Sequence, residues 1–474
     1  MVVAGLAAVI TLLTGCGEPE PKPNFLLLSI DTLRADHLGI YGYERDTSPN
    51  LDRFAKRSIR FERALAPAPW TLPSHIAMLS GRHPYRLGID GIDSSIPEGV
   101  PMLAGILGAA GYQTAAFVDS SKAGYLGAER GFERGFDRYE HGPFTPEQEV
   151  KYDIAKTVDV GLDWLGARDP LRPFFLFLHT KSVHAAPVAE EWSGNNDRPY
   201  ISPEPFGSQF LPESHEEQGW RNDDDHRGVR YLRDLNEKLA DGEIEKGLFS
   251  EARIAELRAL YDGGIRYVDA EFERLLTGLD ELELSDNTVL VVTSDHGEAF
   301  IEHYFFLHKE VFSAESWVPL IVYDPRLTEP AVKSATVSLL DVVPTILARA
   351  GMRIDASIDG RDLLKGGLEA DDERGIFSYS KIRKDPLYEA FALERGKYRL
   401  IYHKHRKWDE FRADLFDRSS DPNELVAIDS SPELKSAMLD ELVELMRAKT
   451  SVDGTRIELD EDTLDGLRSL GYVD

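Results

Sequence analysis

The sequence predicts an α/β fold: a central, mostly parallel sheet between helical layers, with a small α+β subdomain at the C-terminus. Three observations predict it. Short continuous apolar runs alternate with amphipathic stretches from Asn24 to about Gly366, the pattern of strands covered on both faces. Polar residues follow three of those runs directly, namely Asp31, His179 and the pair Asp295-His296, and in open α/β sheets the site lies beyond the carboxyl ends of the strands. After about Gly366 the runs become alternating, with turns between them, as in a small antiparallel sheet.

The elements follow in order. Asn24–Ile30 reads as a buried strand bounded by Pro23 and Asp31, and similar runs recur at Thr114–Val118, Pro173–Leu178, Thr288–Thr293 and Pro319–Val322. Helical spacing lies between them at Asn50–Arg57, Pro101–Ala110, Val150–Leu165, Ser250–Leu279 and Leu340–Ala350. Beyond Gly366, Ser378–Lys381, Ala390–Leu393, Tyr398–His403 and Asp414–Phe416 alternate as strands, and Pro432–Ala448 reads as a helix. The stretch from Ala189 to Leu248 is different: it is rich in charge, Asn, Pro and Gly, as a solvated excursion is, or as a long loop that shapes a site. The domain plan is therefore a leader over 1–16, a tether over 17–23, a main domain over 24–366 with an insertion at 189–248, and a C-terminal subdomain over 367–474.

Composition excludes several classes. The 474 residues carry 83 acidic against 54 basic side chains, a formal charge of −29, which is the wrong sign for a phosphate-backbone interface, so no nucleic-acid partner is expected. Content of 42% hydrophobic and 10% aromatic residues is too high for a disordered chain. A single cysteine excludes a disulfide scaffold. That cysteine, Cys16, ends the apolar run Val2–Gly15, which is shorter than the ~20 residues of a membrane-spanning helix and fits the apolar core of a secretory signal. Leu13-Thr14-Gly15-Cys16 resembles a bacterial lipobox, and the Pro-rich Gly17–Pro23 that follows reads as a tether. Cys16 is then a lipid attachment point, the membrane is a partner through that anchor, and the location is the bacterial cell envelope, periplasmic or at the outer membrane.

Four clusters carry the chemistry. Asp31, in Ser29-Ile30-Asp31-Thr32, ends the first strand, where a carboxylate can hold a hard cation; Asp36 and His37, a few residues on, read as loop-holding groups. Trp70-Thr71-Leu72-Pro73-Ser74-His75 sets a hydroxyl at the positive start of a helix. Leu178-His179-Thr180-Lys181-Ser182-Val183-His184 follows the middle strand. Thr293-Ser294-Asp295-His296-Gly297-Glu298, with His308-Lys309 further on, joins Asp31 in a mixed oxygen and nitrogen donor set for a metal.

These segments resemble the sulfatase branch of the alkaline phosphatase superfamily. "SIDTLRADHLGIYGYERDTSPNLDRFA" is similar to the family opening, "WTLPSHIAMLSGRHP" to the nucleophile segment, and "VVTSDHGEAF" and "VPLIVYDP" to the second metal strand and its sequel. "LLDVVPTILARAG", "DGRDLL", "DLFDRSSDPNELVAI" and "LRSLGYVD" extend the likeness to the C-terminus. The resemblance implies that Asp31, Asp295 and His296 bind one divalent metal, with Thr71 as nucleophile and further metal donor. It implies that His184 contacts the transferring group or protonates the leaving oxygen. His308 or Lys309 would stabilise substrate charge or act as the acid.

The departures from the family pattern shape the expected chemistry. The family has Cys or Ser, x, Pro, x, Arg at the nucleophile and oxidises the first residue to formylglycine. Here Thr71 stands first and His75 stands at the arginine; threonine carries an extra methyl on Cβ, so no formylglycine is expected. Thr32 replaces a second Asp, and Trp317 replaces the Arg of an R-V-P motif. A threonine bound to metal resembles the superfamily's phosphodiesterases and phosphotransferases, in which metal generates the alkoxide. A histidine at 296 shifts the expected ion from calcium toward zinc or manganese. The expected function is hydrolysis of a phosphate or sulfate ester of a small anionic substrate through Thr71. Two other readings stand beside it: a transferase of phospho-head groups in the envelope, and a lapsed sulfatase fold kept as a binding lipoprotein, which the residues at 32, 75 and 317 favour.

Overall fold

The computed structural model describes residues 21–120, 124–142, 153–186, 197–213, 219–221, 226–245, 249–303, 305–327, 329–365, 374–381, 388–405, 410–448 and 455–456. The leader and Cys16 lie outside the described residues. Among the described residues no helix is long and apolar enough to cross a membrane.

The strands in chain order are β1 Asn24–Ile30, β2 Ile59–Leu65, β3 Ser94–Ser95, β4 Gln113–Val118, β5 Arg138–His141, β6 Phe174–Thr180, β7 Thr288–Thr293, β8 Ala299–Phe300, β9 Phe306–Leu307, β10 Trp317–Val318, β11 Leu320–Tyr323 and β12 Ala331–Ser338. The C-terminal strands are β13 Ile376–Lys381, β14 Tyr388–Arg395, β15 Tyr398–His405 and β16 Arg412–Asp417, and a short β17, Thr455–Arg456, pairs with β3. The helices that bear on the site are α1 Pro49–Ala55, α2 Thr71–Ser80, α3 Leu103–Ala109, α4 Ile154–Ala167, α5 Gly228–Asp241, α6 Glu251–Glu281, α7 Val342–Arg349 and α8 Pro432–Arg447.

The central sheet runs β10-β2-β11-β7-β1-β6-β4-β5, with β12 paired to β2. From β7 to β5 every pairing is parallel; β11 and β10 insert antiparallel next to β2. The central strands are buried on both faces, and their residues alternate between two cores. Phe25 and Leu27 join Phe175, Phe177, Val289 and Val291 on one side. Leu26, Leu28 and Ile30 join Leu176, Leu178, Leu290 and Val292 on the other. This is the period of two that a continuous apolar run produces once both faces are covered.

Register decides where the site falls. Ser29 sits beside both His179 and Thr293, and Ile30 beside Thr180. The residues just past the strands, Asp31, Lys181 and Asp295, therefore leave one edge together, and the Asp31 amide still donates to the Thr180 carbonyl at 2.9 Å.

Eight strands, namely β2, β3, β5, β8, β9, β10, β12 and β17, and the helix α5 were not legible in the sequence. β2 and β12 are interrupted by charge, such as Arg63 and Lys333, and their pairing with each other supplies the burial. The 189–248 insertion, expected as an irregular excursion, contains α5, with Val229, Leu232, Asn236 and Ala240 on its buried face. Asn236 exchanges hydrogen bonds with the Phe306 backbone at 2.7 and 3.0 Å, tying α5 to β9. The C-terminal strands form a four-stranded antiparallel sheet, β13-β14-β15-β16, against which α8 packs Met438 and Leu442.

Candidate active site

Asp31, Asp295 and His296 bring one donor atom each to within 4.8 Å of one another, all fully buried. The Nδ1–H of His296 donates to the Gly297 carbonyl at 2.9 Å, which fixes the tautomer and leaves Nε2 with its lone pair. That Nε2 lies 3.6 Å from Asp31 Oδ1 and 3.4 Å from Asp295 Oδ2. His296 Nε2, both Asp31 oxygens and Asp295 Oδ2 are buried with no hydrogen-bond partner. Four orphaned electron-pair donors facing each other are costly in a protein interior, and a divalent cation satisfies all of them at once. The residues present thus fit a metal of the oxygen and nitrogen type.

The approach of α2 comes from Trp70 and Thr71. Trp70 is extended and Thr71 opens the helix, and Pro73 falls in the first turn, where its missing N–H costs nothing. Gly81 ends the helix at φ 68, the left-handed region; a Cβ there would meet Val343 of α7 at 3.1 Å. Every residue of α2 is buried, and Thr71 Oγ1 has no hydrogen-bond partner. The first turn is fastened to the metal donors: Ser74 Oγ donates to the Asp295 carbonyl at 2.6 Å. His75 Nδ1–H donates to the Thr71 carbonyl at 2.8 Å and lies 3.4 Å from Asp295 Oδ2. Because a carbonyl only accepts, His75 Nε2 is the acceptor for the Ser29 hydroxyl at 3.0 Å. His75 therefore stitches β1, α2 and Asp295 together.

The far side of the site is built from β6 and the 296–309 segment. His184 Nδ1–H donates to the Ala185 carbonyl at 2.5 Å, and its ring lies 5.1 Å from that of His308. The His308 ring is 4.4 Å from His296, and its Nδ1 is 3.1 Å from Glu298 Oε1. Lys309 follows, half-buried. The structure thus gathers Asp31, Asp295, His296, His184 and His308 around one point and fastens Thr71 to it through His75 and Ser74.

Two members of this site were missed as site residues, His179 and Lys181. His179 Nε2 is 3.4 Å from Asp31 Oδ2 and Lys181 Nζ 3.9 Å from the same oxygen, both side chains being buried. Their signal was present, since both follow the middle strand; a lysine one residue beyond a strand end is exposed more often than not, and only its burial reveals it. Asp36 and His37 do not reach the site. Asp36 pairs with Arg34 at 2.7 Å and His37 with Asp262 of α6 at 2.7 Å.

The electrostatics follow from burial. Burial opposes ionisation of Asp31, yet His179, His184, Lys181 and His296 outweigh it and hold its carboxyl well below the usual range. Burial together with the Asp31 charge pushes Asp295 up to about 7. Burial lowers His75 to about 4 and His184 to about 3, and lowers His179 and His296 as well. Neutral imidazoles are the protonation state that metal binding requires of histidine, and a cation at the cluster would displace the proton that burial and Asp31 favour on Asp295.

The comparisons with known proteins agree with this geometry. A family model described as "Sulfatase" matches residues 23–352, and one described as "N-sulphoglucosamine sulphohydrolase, C-terminal" matches 301–450. The chain is 23% identical to a delta 4,5-hexuronate-2-O-sulfatase of Bacteroides thetaiotaomicron, over 95% of this chain and 94% of that one. It is 25% identical to an arylsulfatase of Clostridium perfringens, over 87% of this chain and 92% of the other. Among solved structures, a protein in complex with its substrate D-glucosamine-2-N,6-O-disulfate superposes with a TM-score of 0.69 at 20% identity, covering 90% of this chain and 98% of that one. A phosphonate monoester hydrolase from Silicibacter pomeroyi superposes with a TM-score of 0.68 at 19% identity, covering 93% and 100%.

Proposed function

Since the chain belongs to the sulfatase family, and with it to the hydrolases of ester bonds, we propose that it cleaves a phosphate or sulfate ester with Thr71 as the nucleophile. The observation that carries this reading is the buried, unpartnered Thr71 hydroxyl at the start of α2, on a turn fastened to Asp295. Asp31, Asp295 and His296, with Thr71 as candidate further donor, would hold a divalent ion, which would lower the pKa of the Thr71 hydroxyl and offset the charge of the substrate.

The residues of the chain supply the rest. Thr71 Oγ bonds to the central phosphorus or sulfur while the bond to the leaving oxygen breaks. Lys181 faces the anionic oxygens, as does the positive start of α2. His308, paired with Glu298, and the neighbouring Lys309 are the groups placed to give the leaving oxygen its proton, while His184, whose Nδ1–H is used on the Ala185 carbonyl, contacts the transferring group. Water then attacks the threonine ester, returning the hydroxyl to Thr71 and releasing the inorganic anion. A formylglycine hydrate has a second hydroxyl on the same carbon to expel its ester, and threonine has none, so turnover requires water at the central atom. This favours a phosphoester as substrate. The apolar run Val2–Gly15 that ends at Cys16 supports a lipid-anchored location at the cell envelope as part of the same proposal.

The test is a panel of aryl phosphate, aryl phosphodiester and aryl sulfate substrates with added zinc, manganese or calcium. Thr71→Ala is expected to lower kcat by about a thousandfold or more on the best of them, with metal content retained. Equal rates for both proteins remove Thr71 as nucleophile, and a preference for the sulfate overturns the phosphoester assignment.

A further inference from the structure

The loop that carries His308 and Lys309 is gripped from outside the α/β layers. Ser380 Oγ on β13 donates to the Lys309 carbonyl. Arg399 on β15, with a fully buried side chain, donates Nη2 to the Val311 carbonyl and, at 2.8 Å, to Ser316 Oγ. Its Nη1 donates to Glu394 Oε2 at 2.8 Å. Glu424, beyond β16, accepts from both the backbone and the hydroxyl of Ser313. The inner side of the same loop holds the residues after the metal ligand: Gly297 N donates to the Glu315 carbonyl at 2.7 Å and Glu298 N to that of Ala314 at 3.2 Å. The loop therefore joins two bodies, the C-terminal sheet at one face and the segment following His296 at the other.

We propose that Arg399 is a positioning residue for the reaction: by holding Val311 and Ser316 of the 309–316 loop it sets where His308 and Lys309 stand against the candidate metal donors. The role needs an arginine. A planar fork reaches the Val311 carbonyl, the Ser316 hydroxyl and the Glu394 carboxylate in fixed directions at once, which a lysine of the same charge cannot do. The proposal gives the C-terminal sheet a part in the chemistry, and it rests on the reading that His308 or Lys309 acts on the leaving group.

Two variants test it. Arg399→Lys keeps the charge and loses the fork, whereas Ser380→Ala removes one hydrogen bond and carries the test if the first variant does not fold. The first measurement is amide hydrogen exchange in intact protein. Exchange in peptides covering 308–316 is expected to rise about tenfold or more, with β1, β6 and β7 unchanged, as for a locally loosened unit. The second compares esters of one acid with a good leaving group (p-nitrophenol) and a poor one (benzyl alcohol). Misplacement of a catalytic group costs up to about a hundredfold, so kcat on the poor leaving group should fall roughly ten- to hundredfold while that on the good one and KM change little. Unchanged exchange at 308–316 overturns the proposal, and so does an equal fall on both esters. His308→Gln and Lys309→Met serve as references. If neither shows leaving-group dependence, the acid reading fails instead, and Arg399 is a structural clamp.

Discussion

A single methyl group separates threonine from serine, and on the proposed reading it removes one chemistry at position 71 and leaves another. The side chain cannot become an aldehyde, but its hydroxyl stands buried and unpartnered on a turn that two hydrogen bonds fix to Asp295. His75 takes part in that fixation where the family carries an arginine, and it does so neutral, with Nδ1 donating and Nε2 accepting. Gly297 is a residue-scale feature with little tolerance. A Cβ there would lie 2.1 Å from the Ala314 carbonyl oxygen, so Gly297→Ala must displace the backbone next to His296. The expected result is a folded protein with a weakened ion site. The metal dissociation constant, measured by competition with a chromogenic chelator, should rise about ten- to hundredfold; an unchanged constant would show that the loop absorbs the methyl.

At the scale of elements, the C-terminal sheet is locked to the central one by buried charge. Glu394 of β14 accepts from Arg63 of β2 at 2.7 and 2.9 Å, from Arg399 at 2.8 Å and pairs with Arg418 at 2.9 Å. Burial alone would raise this carboxyl, but Arg63, Arg418 and Arg399 overcome it and hold it at about 2. An unfolded glutamate titrates near ~4.3. A folded-state value below that means a contribution to stability that is complete above ~4.3 and is lost as pH falls toward about 2. Glu394→Gln should therefore destabilise the protein by about 3 kcal/mol at pH 7, since it leaves buried guanidinium groups short of a partner. The gap between the two proteins in urea unfolding should narrow as pH is lowered from 5 to 3. A gap that stays constant over that range would mean that Glu394 contributes by packing and not by charge.

At the scale of the whole molecule, −29 of net charge meets an anionic substrate, and the attraction has to be generated locally. On the proposed reading, Lys181, the start of α2 and a divalent ion at Asp31, Asp295 and His296 would provide it. The same ion would relieve two buried carboxylates 0% exposed, so its removal would be felt by the fold. An ion present at 100 times its dissociation constant stabilises by about 2.7 kcal/mol. Treatment with a strong chelator should lower Tm by several degrees, and readdition of zinc or manganese should restore it. A melting curve indifferent to the chelator would argue that the four orphaned donors do not hold an ion.

The sequence by itself determined the α/β class and most of the strands and helices, and it pointed to Asp31, Asp295 and His296, which the fold brings together as a candidate donor set. It could do so because a strand buried on both faces is written as an unbroken apolar run, and the polar residue that ends it is conspicuous. Asp31 and Asp295-His296 were legible for that reason, and so was the departure at Thr71. The sequence did not reveal β12 or α5, nor β2, whose Arg63 is buried against Glu394, a partner distant along the chain. Nor did it single out Lys181, set His179 beside Asp31, or show that His75, Ser29 and Ser74 bind the Thr71 turn to Asp295. Those depend on strand register, which sets Ser29 beside both His179 and Thr293. Register is the sum of many pairings along the sheet, and no local stretch of sequence contains it. Only the tertiary structure decided that the C-terminal sheet reaches the loop of His308, because the contacts of Arg399 with Val311 and Ser316 span more than eighty residues.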